Sequence, residues 1–477
     1  MDNQFDAYTK RRIEYYDAQA CRADSRPGLG RYYRQRVAEI YRHLVADGLR
    51  VIELGAAQGG LLAALRPSYG LGIDFSEEMT RRARANYPHL DFMQGDAHLL
   101  DIEEKFDVVI LSDLLHDLWD VEAVFNQISK IAAPHTRIII NIYSRLWEMP
   151  LKAASLLGFT HPRIEQNWLT VEDIENMLYL QGLEVVSRRR EILWPLPGGL
   201  LNMLLNRVLV KTWPMSELAL SNFIICRPMP PNKNSDDAPT AVSVVIPARN
   251  EAGNIASIFE RTPQMGKLTE LIFVEGHSSD NTYEVIEQEI KNHPGVNASL
   301  YRQSGKGKGD AVRLGFEKAG GDVLMILDAD MTVAPEDLPR FYHALCSGKG
   351  EFINGVRLVY SMEDNAMRFF NQVGNKFFSL AFSWLLGQPI KDTLCGTKVI
   401  LKNNYEKIAL NRPYFGDFDP FGDFDLLFGA AKLNLKIVEM PIRYRQRLYG
   451  TTNIQRWSHG WLLLKMVVFA ASRIKFV

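Results

Sequence analysis

Val323-Leu-Met-Ile-Leu-Asp-Ala-Asp330 is an apolar run closed by two carboxylates one residue apart. An uninterrupted apolar stretch of this length reads as a buried strand. Pro335-Glu-Asp337 then supplies a helix start. Strand followed by helix is the repeating step of a parallel α/β sheet, where ligands gather at the carboxyl ends of the strands. Two acids placed there suit a hard divalent cation, Mg2+ or Mn2+, which takes oxygen ligands and shares them with substrate phosphates. Taken alone, the pair reads equally well as a solvated, Asp-rich turn.

The same rhythm extends in both directions. Upstream of it, Pro228-Met-Pro-Pro-Asn-Lys-Asn-Ser-Asp-Asp-Ala-Pro239 has almost no apolar content and resists helix and strand. It predicts a linker over 228–240 between one α/β domain at 1–227 and another at 241–477. In the first domain strands are expected at Arg50–Leu54, Gly70–Phe75, Asp91–Gly95, Asp107–Leu111 and Arg137–Ile142, then near Glu184–Leu193 and Asn222–Cys226. In the second they are expected at Val242–Ile246, Glu270–Val274, Val323–Asp328, Glu351–Asn354 and Lys436–Met440. Both sheets should be largely parallel.

The bulk numbers agree with two or more globular domains. Of 477 residues, 47% are hydrophobic and 23% charged, so disorder is not expected over most of the chain. A net charge of −1 gives no global reason to bind nucleic acid. Cys21, Cys226, Cys346 and Cys395 are far apart and form no C-x-x-C pair, so neither a zinc site nor a disulfide framework is indicated. A reducing cytoplasm fits. The polar N-terminus has no apolar h-region, and no apolar run reaches 18 residues, so neither a signal peptide nor a spanning helix is expected.

Around Asp328 and Asp330 stand further chemistry-bearing segments. Val244-Val-Ile-Pro-Ala-Arg-Asn-Glu251 is a strand that breaks at Pro247. Glu270-Leu-Ile-Phe-Val-Glu-Gly-His-Ser-Ser-Asp-Asn-Thr282 is a second strand ending in acids and hydroxyls. Gly305-Lys-Gly-Lys-Gly-Asp-Ala311 brings backbone N–H groups and an ammonium near a phosphate, or is simply a flexible surface loop. In this order the segments resemble family 2 glycosyltransferases of the GT-A fold, in particular the dolichol-phosphate-mannose-synthase-like branch, over residues 241 to 477.

The resemblance implies a donor pocket for a nucleotide sugar from Pro247, Ala248, Asn250, Glu251, Glu275, Asp280 and Lys308. It implies a metal site at Asp328 and Asp330, and donor contacts from Asp328, Arg357 and Arg447. Asp392-Thr-Leu-Cys-Gly-Thr397 matches its acceptor-side segment. Asp423, in Phe421-Gly-Asp-Phe-Asp-Leu426, takes the position of the catalytic base. Were the acceptor an anionic lipid phosphate, Asp423 would instead orient it or help hold metal. Gly276 with His277, Val356, Gly422 and Asn453 depart from the family pattern. The basic, Trp-bearing tail from Arg456 to Val477 suits either a helix in a membrane interface or a terminal helix packed on its domain.

In the first domain, Arg50-Val-Ile-Glu-Leu-Gly-Ala-Ala-Gln-Gly-Gly60 is a strand entering a Gly-bearing turn, and Asp74 ends the next strand. An acid there can hold two ribose hydroxyls. With Gly95-Asp96-Ala97 and Phe106-Asp-Val-Val-Ile-Leu-Ser-Asp113, the pattern resembles a class I S-adenosylmethionine-dependent methyltransferase over residues 49 to 227. The resemblance implies that Glu53, Gly55 and Gly59 form the methionine-side loop, that Asp74 holds ribose and that Asp96 and Ala97 flank adenine. Ala57 departs from it. Asp113, His116 and Asp117 fall on the acceptor side, where His116 reads as a general base or as a structural histidine. Gly28–Tyr33 and Asn167–Thr170 are candidates to close the site. Leu200–Trp213 reads by default as buried core, with an acceptor lid or a membrane-facing helix as alternatives.

Together these readings predict a bifunctional transferase of surface-glycan or glycolipid assembly. One domain would pass a sugar from a nucleotide-sugar donor to a polyprenyl-phosphate or glycan acceptor. The other would methylate with S-adenosylmethionine. Its place would be the cytoplasm, peripheral to the membrane through the C-terminal helix. A glycosyltransferase with an inactive methyltransferase-like domain and a non-catalytic nucleotide-sugar scaffold are the alternatives.

Overall fold

The computed structural model describes residues 3–22, 30–157, 164–230, 240–357, 369–412, 424–443, 447, 449 and 456–476. The chain divides into two compact units whose boundary falls between Met229 and Pro230. Residues 231–239 of the expected linker lie outside the described residues.

The first unit is built on seven strands: β1 (Arg50–Leu54), β2 (Tyr69–Asp74), β3 (Asp91–Gln94), β4 (Phe106–Ser112), β5 (Ala132–Tyr143), β6 (Leu183–Glu191) and β7 (Ser221–Pro228). Their order in the sheet is β3-β2-β1-β4-β5-β7-β6. The first five run parallel, and β7 is antiparallel to both β5 and β6. Alternation sends neighbouring residues to opposite faces. Ile52, Leu54, Val109 and Leu111 enter one core, while Val51, Val108, Ile110 and Ile139 enter the other. Burial on both faces is why β1 and β4 read as unbroken apolar runs. Each such side chain contributes about 1.5–3 kcal/mol.

The second unit repeats the plan with β8 (Ala241–Ala248), β9 (Leu268–Glu275), β10 (Asn297–Arg302), β11 (Val323–Ile326), β12 (Phe352–Val356), β13 (Lys398–Leu401) and β14 (Ile437–Pro441). Their order is β10-β9-β8-β11-β13-β12-β14. Here β13 is antiparallel to β11 and β12, and the other pairings are parallel. Val245, Leu324 and Ile326 face one core; Val244, Ile246, Val323 and Met325 face the other. The sequence reading did not anticipate β10 and β13. It also carried β11 to Asp328, whereas the strand stops at Ile326 and leaves both aspartates in the following loop.

Two further expectations change. Leu200–Trp213 is not core: Leu200, Leu201, Met203, Leu204, Val208 and Trp213 are exposed. The tail helix Arg456–Ala470 packs Leu463, Met466 and Ala470 into the second unit's core, while Trp461 and Val468 stay exposed. Among the described residues no helix is long and apolar enough to cross a membrane.

Candidate active sites at the strand ends

In the second unit the loop after β11 carries its two acids into separate ion pairs. Asp328 Oδ1 lies 2.6 Å from Lys308 Nζ. Gly396 is the close neighbour of that pair: a Cβ there would press on the Asp328 carboxylate and the Lys308 ammonium and force them to shift. Asp330 Oδ2 accepts from Arg447 at 2.7 Å, and its Oδ1 accepts from the backbone N–H and hydroxyl of Thr332. Burial pushes the Asp330 carboxyl upward, but the Arg447 and Thr332 bonds outweigh it and hold the group below its usual range.

Arg447 also approaches Glu251 at 3.5 Å. Glu251 is buried and its pKa is pushed up to about 7, chiefly by burial, with Arg447 opposing and Asp330 adding to the rise. Asn250 bridges the loops after β8 and β9: its N–H donates to Ser278 Oγ and its Oδ1 accepts from the Ser279 N–H at 2.8 Å. Asp280 Oδ1 accepts from the Thr282 N–H at 3.1 Å. Pro247 and Ala248 close β8, and the Ala248 carbonyl accepts from Gly276 N–H at 2.9 Å. Glu275, Ser278, Asp280 and Tyr283 line a cleft with Arg302, which pairs with Glu275 at 3.2 Å and lies over the Tyr283 ring.

Arg357 is placed differently from the expectation of a donor contact. Its guanidinium grips both oxygens of buried Asp392, at 2.7 and 2.8 Å, and its backbone N–H adds a third bond. The fork ties β12 to the segment before β13. Asp423, with Asp417 and Asp419, lies outside the described residues; Asp425 is buried and paired with Arg412 at 2.8 Å. Asp328 and Asp330 offer the oxygen donors Mg2+ or Mn2+ takes, and one or two carboxylates suffice when a substrate diphosphate supplies the rest. The two carboxylates therefore suit such an ion, with no group of three or more ligating side chains gathered among the described residues, and Lys308 and Arg447 are the cations beside them.

In the first unit the turn after β1 holds Gly55 at φ 74° and Gly59 at φ 78°. Cβ atoms there would meet Leu114 at 2.8 Å and Phe92 at 2.5 Å. Ala57 sits between them at φ 45°, a left-handed backbone that disfavours any side chain. Its N–H donates to Asp74 Oδ2 at 2.8 Å, while the Ser76 N–H donates to Asp74 Oδ1 at 2.9 Å. Burial, the largest influence on Asp74, raises its carboxyl. Each oxygen keeps a lone pair for a ribose hydroxyl. Glu53 is buried, accepts from the Leu62 N–H at 3.1 Å, and is pushed by burial to about 8. The turn, its acids and buried Ala97 fit an adenosyl cofactor.

Asp96 accepts from His98 Nδ1 at 2.6 Å, and His98 Nε2 accepts from the Asp120 N–H, which fixes a neutral tautomer. Asp113, at φ 52°, receives the Tyr33 hydroxyl, the Asn141 carboxamide at 2.6 Å and the Tyr143 hydroxyl at 3.4 Å. Burial first, and Asp113 second, drive the Tyr33 phenol well above its ordinary value. His116 does not match the role of a base. It is buried, its Nε2 accepts from the Tyr143 N–H at 2.9 Å and its Nδ1 donates to the Asn167 carbonyl at 2.9 Å. Both ring nitrogens are committed, and the ring stacks on Tyr143; His116 braces the site. Helix Asn3–Arg22 adds Tyr8, Arg12 and Tyr16 around Asp117.

Five of the eight left-handed non-glycine residues among those described, Ala57, Asp113, Asn250, His277 and Met331, lie in loops after strands β1, β4, β8, β9 and β11; Ile192 follows β6, and Arg66 and Asn434 lie in turns after helices. Sequence reasoning missed Thr332, Tyr143, Asn141 and Arg302. The first had a local signal, Asp-x-Thr, in which an aspartate accepts from the N–H two residues on. The others act across tens of residues.

Comparison with known sequences matches residues 243–408 to Glycosyl transferase family 2 and residues 46–178 to a methyltransferase domain. Glycosyltransferase AglJ of Haloferax volcanii is 28% identical over 227 residues, covering 47% of this chain and 70% of the relative. A dolichol-phosphate mannosyltransferase of Pyrococcus furiosus is 28% identical over 235 residues, covering 47% and 64%. An undecaprenyl-phosphate 4-deoxy-4-formamido-L-arabinose transferase of Pectobacterium carotovorum is 34% identical over 215 residues, covering 44% and 62%. The chain thus spans less than two thirds of the length of the latter two relatives.

Proposed function

We propose that this chain, which joins a methyltransferase domain to a family 2 glycosyltransferase domain, performs both transfers. The glycosyltransferase domain passes a sugar from a nucleotide-sugar donor to a lipid-phosphate acceptor. The methyltransferase domain methylates a glycan, a lipid-linked intermediate or a related small molecule. The observation that carries the reading is the paired arrangement Lys308–Asp328 and Arg447–Asp330 at the end of β11.

A divalent ion held by Asp328 and Asp330 would neutralise charge on the leaving diphosphate. Arg447 and Lys308, turned from Asp330 and Asp328 toward the phosphates, would offset the charge gained as the anomeric C–O bond breaks and the diphosphate takes its electron pair. An acceptor phosphate oxygen forms the new bond without giving up a proton, and Asp423 then orients it; a hydroxyl acceptor gives its proton to Asp423. In the other domain, S-adenosylmethionine supplies an electrophilic methyl group. Asp74 would hold its ribose, Asp96 and Ala97 would flank the adenine, and Asp113 would face the acceptor. The relatives named for dolichol-phosphate and undecaprenyl-phosphate support the lipid-phosphate acceptor, and the exposed Trp461 face of the tail helix supports a peripheral membrane position.

The test is diphosphate release from a panel of nucleotide sugars with Mg2+ or Mn2+, with and without polyprenyl phosphate, beside calorimetric titration with S-adenosylmethionine. Release that depends on the lipid phosphate is expected. No donor consumed across the panel would remove the glycosyl-transfer reading; a folded chain that binds no S-adenosylmethionine would remove the methyl-transfer reading.

A further inference from the structure

The helical run from Leu200 to Lys211 is inside out. Asn202, Asn206 and Lys211 are buried, with Val210 beside them, whereas Leu200, Leu201, Met203, Leu204 and Val208 are exposed, Leu200 at 82%. The polar side turns inward and is largely bonded there, Asn202 Oδ1 and Glu191 Oε2 being the buried oxygens without a hydrogen-bond partner among the described residues. Asn206 Oδ1 accepts from the Leu193 and Trp194 N–H groups at 2.8 Å, and its Nδ2 donates to the Trp194 carbonyl at 2.7 Å. Asn202 Nδ2 donates to the Leu196 carbonyl at 2.7 Å, and Lys211 pairs with buried Glu191. A helix on a water-soluble surface does the reverse, turning its apolar stripe to the core.

A second element shares the character. Helix Glu148–Leu156 has no buried residue, and Met149 and Leu156 are exposed, Leu156 at 89%. Trp147, just before this helix, donates its Nε1–H to the Leu218 carbonyl at 2.9 Å, in the turn Met215–Leu218 that follows the first run. Trp213 stands out at 81%. From Ile192 to Ser216 the sequence holds Arg207 and Lys211 and no acid; Arg207 and Arg145 are exposed.

We propose that this face of the first unit docks on an anionic lipid bilayer. Outward leucines with tryptophan enter the acyl–headgroup boundary, and exposed arginines meet the negative headgroups. The face is tied to the acceptor side of the site. Asn206 donates to Tyr32 Oη, and the next residue, Tyr33, bonds Asp113; helix Glu148–Leu156 closely follows Tyr143 at the end of β5. Inverted polarity is the feature that favours a bilayer, because a lipid surface rewards outward leucines continuously along a short helix.

The full chain is tested by co-sedimentation with vesicles of phosphatidylglycerol and phosphatidylcholine, and with phosphatidylcholine alone, without donor or cofactor. Trp461→Glu with Val468→Glu first removes the contribution of the tail helix. In that background, Leu200→Glu, Leu204→Glu and Trp213→Glu together should lower the bound fraction at least tenfold, and the parent should bind the anionic vesicles at least tenfold better than the neutral ones. The milder Leu200→Ser with Trp213→Ser should give a smaller loss and serves if the first variant loses its thermal unfolding transition. Unchanged partition overturns the proposal. So does conversion of a dimer to a monomer in light scattering with vesicle binding unchanged, which would make the face a contact between copies. No turnover is read, so failure of either transfer reading leaves this result standing.

Discussion

At the strand ends of the first unit, Glu53, Asp74 and Asp113 are held by backbone N–H groups, a carboxamide and phenols. At those of the second, Asp328, Asp330, Glu275 and Asp392 are each held by a lysine or an arginine. Both units keep carboxylates at the mouth of an α/β sheet, mostly with donors of different charge, Asp117 beside Arg12 and Asp280 beside Thr282 being exceptions. Neutral donors bring no positive charge to the first site, which suits a sulfonium cofactor, and Glu53, pushed to about 8, stays protonated at neutral pH. Cationic partners cancel the charge of the second site's carboxylates, and they are groups that can be transferred to an arriving diphosphate. The difference follows the charge of the ligand proposed for each unit; both are seven-stranded α/β sheets, with the antiparallel strand sixth in the first and fifth in the second.

Substitutions in one unit should therefore leave the other untouched. The largest effect is expected from Asp330→Ala: donor turnover, read as diphosphate release, should fall about 10³-fold. Methyl transfer should be unchanged, and a parallel loss there would break the comparison.

Next is the pH response of Glu53. Its folded pKa, about 8, lies above the ordinary 4.5. The folded state therefore keeps the proton longer than the unfolded chain, and the stability it contributes is complete below about 4.5 and lost as pH rises through 8. Glu53→Gln keeps an acceptor for Leu62 and does not titrate. It should remove a fall on the order of a few kcal/mol between pH 5 and pH 9, followed by urea unfolding of the first unit. Equal slopes in the two proteins would refute burial as the cause.

Asp74→Ala should weaken S-adenosylmethionine binding by roughly 30-fold, about 2 kcal/mol for charged hydrogen bonds, in calorimetric titration. Donor turnover in that variant should be unaltered. Smallest is Ala57→Gly. Release of a left-handed alanine is worth about 1–2 kcal/mol, and the looser unfolded chain offsets about 0.4–1 of it. A net gain of about 0–1.6 kcal/mol is expected in urea unfolding, and a loss would mean the turn holds Ala57 without strain.

Much of this architecture is legible in the chain. Strands β1, β4, β8 and β11 announce themselves because burial on both faces forces unbroken apolar runs. The order of motifs around Asp328 and Asp330 was also readable. Strand β10 was not, since Asn297–Arg302 is only half-buried and its pattern is weak. Nor was β13, four residues long and opening on a buried lysine, Lys398, whose ammonium is satisfied by the Cys395 carbonyl. Strand direction was hidden too: nothing local to β7 or β13 says that it runs against its neighbours. In the sites, residue types were legible and partners were not. Arg447 meets Asp330 across 117 residues and Tyr33 meets Asp113 across 80. His116 looked like a base because a sequence shows a titratable ring but not the two backbone groups that occupy it.

The left-handed residues after β1, β4, β8, β9 and β11 bear on the kinetics of ligand entry. Steric barriers separate positive from negative φ, so these loops switch between discrete shapes and do not drift. A ligand reaching either site meets turns already set, and its association carries little of the ordering entropy that a floppy loop would impose. Association rates should then reflect diffusion and the turning of a few side chains, Lys308 and Arg447 among them, with affinity differences between related ligands expressed mainly in how slowly they leave.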